Sequence, residues 1–572
     1  MLGGDVLDIS CREAILSDDY EDFIFNYDND FRDLAEQNNL CYSVVDNTYA
    51  IVHLPPSTGL TAPLQTYGYR IFPSLFGLMD ESSLISSGVT SVRNQPTLDL
   101  NGQGVLIGII DTGIEYTHQA FVSSDNTTKI FRIWDQTIHT GEPPNGFVYG
   151  TEYTMEQINE ALASEDPLSI VPSTDDVGHG TFISGIVAGY PNPLERFSGV
   201  VPQSELIVVK LKSAKPSLRR FFLIPDEAIC FQETDIMFGI EYLLSVASEA
   251  GRPISICIAL GTSQGGHDSR GALSSYLSRI ADYRGVAISI AAGNEGISGH
   301  HYSSTLTRAN EYDTVELRVG PDEPGFSMEF WGNVPSSFSI DILSPTGEYV
   351  PRIPARLGES RIIPFVFEQT VIYVDYQIIE AQTGDQMILV RLDHPTEGIW
   401  RFRVYSTSDL TLQYNIWLPI TSFLSSNTSF IRPDPQTTLT SPGNTIIPMT
   451  ATAYNHLNQT LYSYASRGFN RIGGITPDFA APGVNLIGPG LNNTYITYSG
   501  TSSAAAHTCG IAAMLLEWGI VRGNYTQIDS IEIRSLLIRG ATRAPNTVYP
   551  NTDWGYGILD IYTTFNRIRG NP

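Results

Sequence analysis

Three side chains of the kind that build an acyl-transfer site stand far apart in this chain: Asp111, His179 and Ser502. The serine lies in Ser499-Gly500-Thr501-Ser502-Ser503-Ala504-Ala505-Ala506, a polar, flexible entry into the apolar run Gly510-Ile511-Ala512-Ala513-Met514-Leu515-Leu516. That pattern reads as a loop feeding a buried helix, with Ser502 in its first turn. Backbone N–H groups in a first turn lack an intrahelical acceptor, and the helix dipole there favours negative charge. A serine so placed can be a nucleophile whose own amide helps hold an oxyanion. On its own the stretch reads more readily as a plain N-cap, because serine and threonine lead that position.

Two further stretches change the weighing. Gly108-Ile109-Ile110-Asp111-Thr112-Gly113 puts a carboxylate at the end of an apolar run, and Gly178-His179-Gly180-Thr181-Phe182 puts a histidine at the mouth of a small-residue helix. In such a set the histidine takes the serine proton and later protonates the leaving amine, while the aspartate fixes its tautomer. Ser503 adjoins Ser502, but one face of the first turn meets the histidine, which selects Ser502. The Asn294 amide in Ala292-Gly293-Asn294-Glu295-Gly296 can donate to an oxyanion, although the same residues also read as a turn. Asp175 and Asp176, just ahead of His179, read as solvated carboxylates or a cation contact.

The elements that must position these groups alternate. Apolar runs at 105–110, 206–211, 255–261 and 286–292 read as strands, and 235–244 has helical spacing. Strand-helix alternation predicts an α/β fold, a doubly wound, mostly parallel sheet with function at strand C-termini. From Tyr302 to Pro419 the texture becomes short alternating strands split by Pro, Gly, Asp and Ser, which predicts an inserted all-β jelly-roll sandwich over 302–419. The catalytic domain is then discontinuous, 96–301 and 420–572. Residues 1–95 read as a small α+β module, with strands at 42–45 and 49–54 and a short helix at 80–89.

The three blocks, in the order Asp, His, Ser, resemble the signature blocks of the subtilisin-like serine proteases, for which that triad order is known. The resemblance implies that Asp111, His179 and Ser502 are the catalytic triad, that Asn294 supplies the oxyanion hole, and that Ala259, Leu260 and Gly261 form the strand to which an extended substrate adds. It makes His507 a helix residue and not the base. Residues 1–95 become a propeptide that assists folding and blocks the cleft with its tail near Ser91–Gln95, although Pro96 suits the position after a scissile bond poorly. Ser503 stands where the family often has Met, and Ala506 where it often has Pro; neither position carries the chemistry. The short propeptide, the insertion and Ser466-Arg467-Gly468 together resemble the Csp germination proteases of clostridial spores. That layout implies limited proteolysis that activates the zymogen of a cortex-lytic hydrolase, with autoprocessing of the propeptide. A general degradative subtilase and a non-catalytic germination regulator or scaffold are the other readings.

Lys and Arg number 33 against 61 Asp and Glu, a formal charge of −28, which argues against a nucleic-acid partner and for solubility. Met1–Asp30 is acidic and lacks a basic n-region, so no signal peptide is expected. No run of about 18 apolar residues is seen, so no membrane span is expected either. These points predict cytoplasmic synthesis, and the resemblance to the Csp proteases implies spore association. The five scattered cysteines read as free thiols. No zinc spacing and no dinucleotide fingerprint occurs, so no cofactor and no metal is expected, and structural calcium is not indicated. The partners that the resemblance implies are a protein substrate, a cortex-hydrolase zymogen, and the chain's own propeptide, on a monomer.

Overall fold

The computed structural model describes residues 11–37, 40–55, 64, 68–78, 86–93, 95–308, 311–335, 337–407, 409–425 and 427–570. Near the N-terminus, β1 (Glu21–Asn26), β2 (Cys41–Val44) and β3 (Tyr49–Leu54) form an antiparallel sheet in the order β1-β3-β2. β4 (Leu75–Leu78) leaves this module and joins the catalytic body. The helix expected at 80–89 falls mostly outside the described residues; a helix does cover Val89–Arg93.

The catalytic body is built on a nine-stranded sheet. Its centre is β5 (Leu106–Asp111), with β6 (Ile130–Asp135), β7 (Thr151–Thr154) and β8 (Glu205–Lys210) to one side. β5 and β8 pair in parallel, as do β6 and β8, while β7 runs antiparallel at the edge. Beyond the two-residue β9 (Phe231–Gln232) in sequence come β10 (Ile254–Ile258), the two-residue β11 (Leu260–Gly261) and β12 (Val286–Ala291). β10 and β12 extend the sheet in parallel on the other side, followed by Met449–Asn455, which pairs Phe479–Pro482 in parallel and Thr460–Leu461 antiparallel.

Every residue of β5 is buried, as a central parallel strand covered on both faces requires. Alternation sorts its side chains: Ile107 and Ile109 enter one core and Leu106 and Ile110 the other. Leu206 and Val208 of β8 join the first, Ile207 and Val209 the second. The first core contains the whole Ala504–Leu516 portion of the serine helix that is apolar, including Ala505, Ile511 and Leu515. Thr501–Val521 is long and apolar enough to cross a membrane, but most of it is buried inside this core.

The inserted region forms two antiparallel sheets. One has six strands, in the order His301–Leu306, Leu412–Trp417, Gly325–Gly332, Gln386–Asp393, Val371–Gln377, Ser360–Pro364. The other has five: Tyr349–Ile353, Phe338–Leu343, Gly398–Ser406, Tyr312–Val319 and Ser429–Phe430. Phe326, Phe330 and Val390 from the first share a core with Leu317, Ile340 and Phe402 from the second, the arrangement of two sheets packed face to face. The expected end of the insertion at 419 falls short, because Ser429–Phe430 pairs with Tyr312–Val319. The signal is invisible locally: a two-residue strand has no periodicity to read.

Two other expectations need correction. Val89 and Val92 are buried in the catalytic core, so the boundary at 95 does not separate the two bodies. Cys41 is disulfide-bonded, contrary to the reading of five free thiols, whereas Cys230, Cys257 and Cys509 are free and buried. Spacing along the chain does not report which thiols fold together.

Candidate functional site

Asp111 ends β5, and the chain turns immediately after it. Its carboxylate meets His179 Nδ1 through both oxygens, at 2.8 and 2.9 Å, and also accepts the Thr112 N–H at 2.7 Å. His179 opens the helix His179–Ala188. Its Nε2 lies 3.3 Å from Ser502 Oγ. Ser502 is the second residue of the helix Thr501–Leu516, where its N–H has no intrahelical acceptor. All three side chains are buried. Three residues that span nearly 400 positions of sequence thus form one unbroken line of contact.

Gly293 has a φ of 107°, and a Cβ there would lie 2.7 Å from both Ser466 Oγ and Thr440 Oγ1. Glycine is therefore needed to bring the Asn294 loop against its neighbours. Asn294 Oδ1 accepts from the N–H and the hydroxyl of Thr501, at 3.2 and 3.1 Å. The side-chain carbonyl is thus engaged beside the serine helix, and the Nδ2 donor remains for another acceptor. Glu295 fixes the far side of this loop: its carboxylate accepts from His300 Nδ1 at 2.7 Å and from Thr421 N–H at 2.9 Å. Burial raises the Glu295 carboxyl, but the His300 contact and the Thr421 bonds outweigh it and hold it below its ordinary range. His300 leads into the first strand of the insertion and Thr421 follows its strand Leu412–Trp417, so both of these points are tied to the Asn294 loop.

Sequence reasoning missed Asp175. It is not a solvated carboxylate: it is 5% exposed, and five protein donors engage its two oxygens. One oxygen accepts from Thr112 Oγ1 and Gly178 N–H, both at 2.8 Å, and from Val177 N–H at 3.1 Å. The other accepts from Thr181 N–H and Thr181 Oγ1, both at 2.8 Å. It thereby ties the turn after Asp111 to the start of the His179 helix. Asp176, by contrast, is exposed and pairs with Lys210 at 3.2 Å. The clue in the sequence was position: a carboxylate just before a helix start caps it.

Ala259 O lies 3.4 Å from Ser502 Oγ. The next two residues, Leu260 and Gly261, form β11, which pairs antiparallel with β4: Leu260 with Leu78 and Gly261 with Gly77. On its other edge β4 pairs with β9, Leu75 with Gln232 and Phe76 with Phe231. A segment of the N-terminal region is thus the middle strand of a three-stranded sheet at the mouth of the site. The tail expected near Ser91–Gln95 is elsewhere: Val92 is buried in the catalytic core, and Arg93 Nη1 donates to Gly199 O at 3.0 Å. The displacement has a physical reason. Leu75-Phe76-Gly77-Leu78 is too short and apolar to declare a periodicity, and its partners lie more than 150 residues away.

His507 is buried on the serine helix, contacts Ser87 Oγ through Nε2, and is lowered to about 3 by burial and by His456. A neutral, enclosed imidazole facing that way is a packing group. A second chain of the same residue types occurs in the N-terminal module: Ser43 Oγ lies 3.2 Å from His53 Nε2, and His53 Nδ1 lies 2.6 Å from Asp22. Ser43 sits in a strand, so no helix N-terminus supplies it with amide donors, and Asp22 is also bound by Lys215 Nζ at 2.8 Å. The Cys257 thiol is pushed well up by a hydrogen bond with Cys509 and by burial, which removes it as a nucleophile. Among the described residues no group of three or more His, Cys, Asp or Glu side chains is placed to hold a metal ion.

A histidine between a buried carboxylate and a serine at a helix N-terminus, with amide donors beside it, is the site of a serine peptidase. The model of the subtilase family matches residues 102–315 and 425–557, and the chain belongs to that family. The CspB protease of Clostridium perfringens superposes with a TM-score of 0.75 at 31% identity, covering 85% of this chain and 96% of that one. The PII-type proteinase of Lacticaseibacillus paracasei is 22% identical over 531 residues, and a C5a peptidase of Streptococcus pyogenes is 21% identical over 489. The chain spans 26% and 38% of the lengths of these two relatives.

Proposed function

We propose that the protein is a serine endopeptidase that acts on extended protein segments and is made in a self-blocked form. The observation that carries this reading is the line of contact Asp111–His179–Ser502, with His179 Nε2 3.3 Å from the serine oxygen. Ser502 Oγ attacks the scissile carbonyl carbon while His179 Nε2 takes its proton. Ser502 N–H and Asn294 Nδ2 hold the oxyanion. His179 then protonates the leaving amine, and water repeats the sequence on the acyl-enzyme. Asp111 keeps the Nδ1 proton facing itself, which leaves Nε2 free as the base. None of these steps uses a cofactor or a metal.

The N-terminal region acts as a propeptide. Leu78 pairs with Leu260, next to Ala259, whose carbonyl adjoins Ser502; this supports a self-cleavage within residues 78–80. The insertion is a jelly roll that stiffens the catalytic body. Arg471 supports that role: it joins Asp268 of the catalytic body, at 3.1 Å, to Asp385 of the insertion, at 2.6 Å.

The likeness to CspB across 85% of the chain supports a narrower role, limited proteolysis of a cortex-lytic hydrolase zymogen by a spore-associated monomer during germination. Incubating the zymogen with wild type and with Ser502→Ala tests it. One defined cut, made by wild type alone, is the expected result. Broad digestion of casein with the zymogen left whole would favour a degradative subtilase instead.

A further inference from the structure

The strand that fills the groove is held at a second place, upstream of its pairs with β11. Ser74 N–H donates to Glu233 Oε2 at 2.9 Å, and Leu75 N–H donates to Gln264 Oε1 at 2.8 Å. Ser74 O in turn accepts the Glu233 N–H at 2.9 Å. Glu233 and Gln264 belong to the catalytic body, and both are buried. The second carboxylate oxygen of Glu233 accepts the Leu273 N–H at 2.9 Å, at the start of the helix Ala272–Ile280.

A buried carboxylate is costly unless its oxygens are hydrogen-bonded. The fold supplies a donor for one Glu233 oxygen from Leu273. The donor for the other comes from the segment in the groove. Both clamp contacts use the main chain of Ser74 and Leu75, which rejects proline, and the Ser74 side chain adds a further hydrogen bond to Glu233, which favours a hydroxyl at that position. The next residue sets a different condition. Phe76 is 1% exposed and packs in an apolar group that includes Phe231 and Leu260.

We propose that Glu233 and Gln264 form a substrate clamp that binds peptide backbone at the positions of Ser74 and Leu75, beyond the apolar seat of Phe76. This rests on reading β4 as the stand-in for substrate in the proposed peptidase. The enzyme then requires an extended segment, free of proline at the two clamped positions, that reaches four residues ahead of the Leu78 position. An enzyme with that demand cuts few sites in folded proteins and prefers an exposed linker, which suits limited proteolysis. Glu233 and Gln264 are binding residues remote from the reacting atoms and leave the chemistry to the triad.

The test uses enzyme prepared from the full chain and two internally quenched peptides, one carrying residues 72–83 of this sequence and one carrying residues 76–83. The longer peptide is expected to be cut with a kcat/KM about tenfold or more higher, the scale of two lost backbone hydrogen bonds. Replacing Leu75 by proline within the longer peptide should remove most of that advantage. This change leaves the enzyme untouched and so does not depend on a variant folding. In Gln264→Ala the ratio of the two rates should fall towards one. Equal rates on both peptides, or no cleavage of either by an enzyme whose Ser502 still reacts with a fluorophosphonate, would overturn the clamp and leave the peptidase reading intact. Failure of folded enzyme to react with the fluorophosphonate would overturn the peptidase reading itself.

Discussion

Asn294 and Thr501 are locked together: the asparagine side-chain carbonyl accepts both the amide and the hydroxyl of the threonine, at 3.2 and 3.1 Å. The Thr501 hydroxyl oxygen also accepts the Gly293 N–H at 3.1 Å. The proposed oxyanion donor is thus held from the helix that carries Ser502. Asn294→Ala should lower kcat with little change in KM, by about 10²–10³-fold, the range known for the same donor in subtilisin. Thr501→Val should lower kcat less, by about tenfold, because it frees the donor without deleting it. Steady-state kinetics on a peptide substrate checks both.

Asp175 binds groups from the Asp111 turn and from the start of the His179 helix at once. Asp175→Ala leaves several buried N–H groups without an acceptor. Since each such group costs about 1–3 kcal/mol, stability should fall by about 3 kcal/mol or more, and the histidine should lose its fixed position. Urea unfolding measures the first effect and the pH profile of kcat/KM the second.

Arg471 is the bolt between the insertion and the catalytic body. Its Nη1 donates to Asn333 Oδ1 at 2.9 Å and to Asp385, its Nη2 to Asp268, and its Nε to Gly266 O at 2.6 Å. Removing one partner of a buried ionic group strands the others, at a cost of about 3–5 kcal/mol. Arg471→Ala should lower the melting temperature and open the insertion to added protease. Unchanged protease resistance would mean that the insertion does not stiffen the body through this contact.

These contacts mark where sequence reading stops. Asp111, His179 and Ser502 each sit in a stretch whose own neighbours announce the role: an apolar run that ends in a carboxylate, a small-residue helix that opens on histidine, a flexible loop that enters an alanine-rich helix. The central strands were legible for the same reason. Strand β1 was not, because Glu21-Asp22-Phe23-Ile24-Phe25-Asn26 carries two acids that are buried only by partners from elsewhere, such as Lys215. The groove strand β4 was hidden likewise, since its pairing to β9 and β11 is entirely long-range.

Glu21 offers a pH test of how the N-terminal module docks. Burial pushes its carboxyl up from 4.5 to about 7, opposed by Arg220, reinforced by Asp22 and opposed again by Lys215. The folded state therefore holds a proton that the unfolded chain releases more readily. The stability contributed by this group is full below pH 4.5 and is lost as the pH rises through about 7. Glu21→Gln, made in the Ser502→Ala background to prevent processing, should match its parent near pH 4.5 and exceed it in melting temperature at pH 8. Parallel melting curves across that range would contradict the assignment.

The central claim is that Ser502 is an activated nucleophile behind a removable N-terminal segment. Its most direct test compares full-length wild type and Ser502→Ala by fluorophosphonate labelling and intact mass. The account predicts that wild type labels at Ser502 and is cut within residues 78–80, while the variant does neither. A folded wild-type protein that neither labels nor shortens would contradict it.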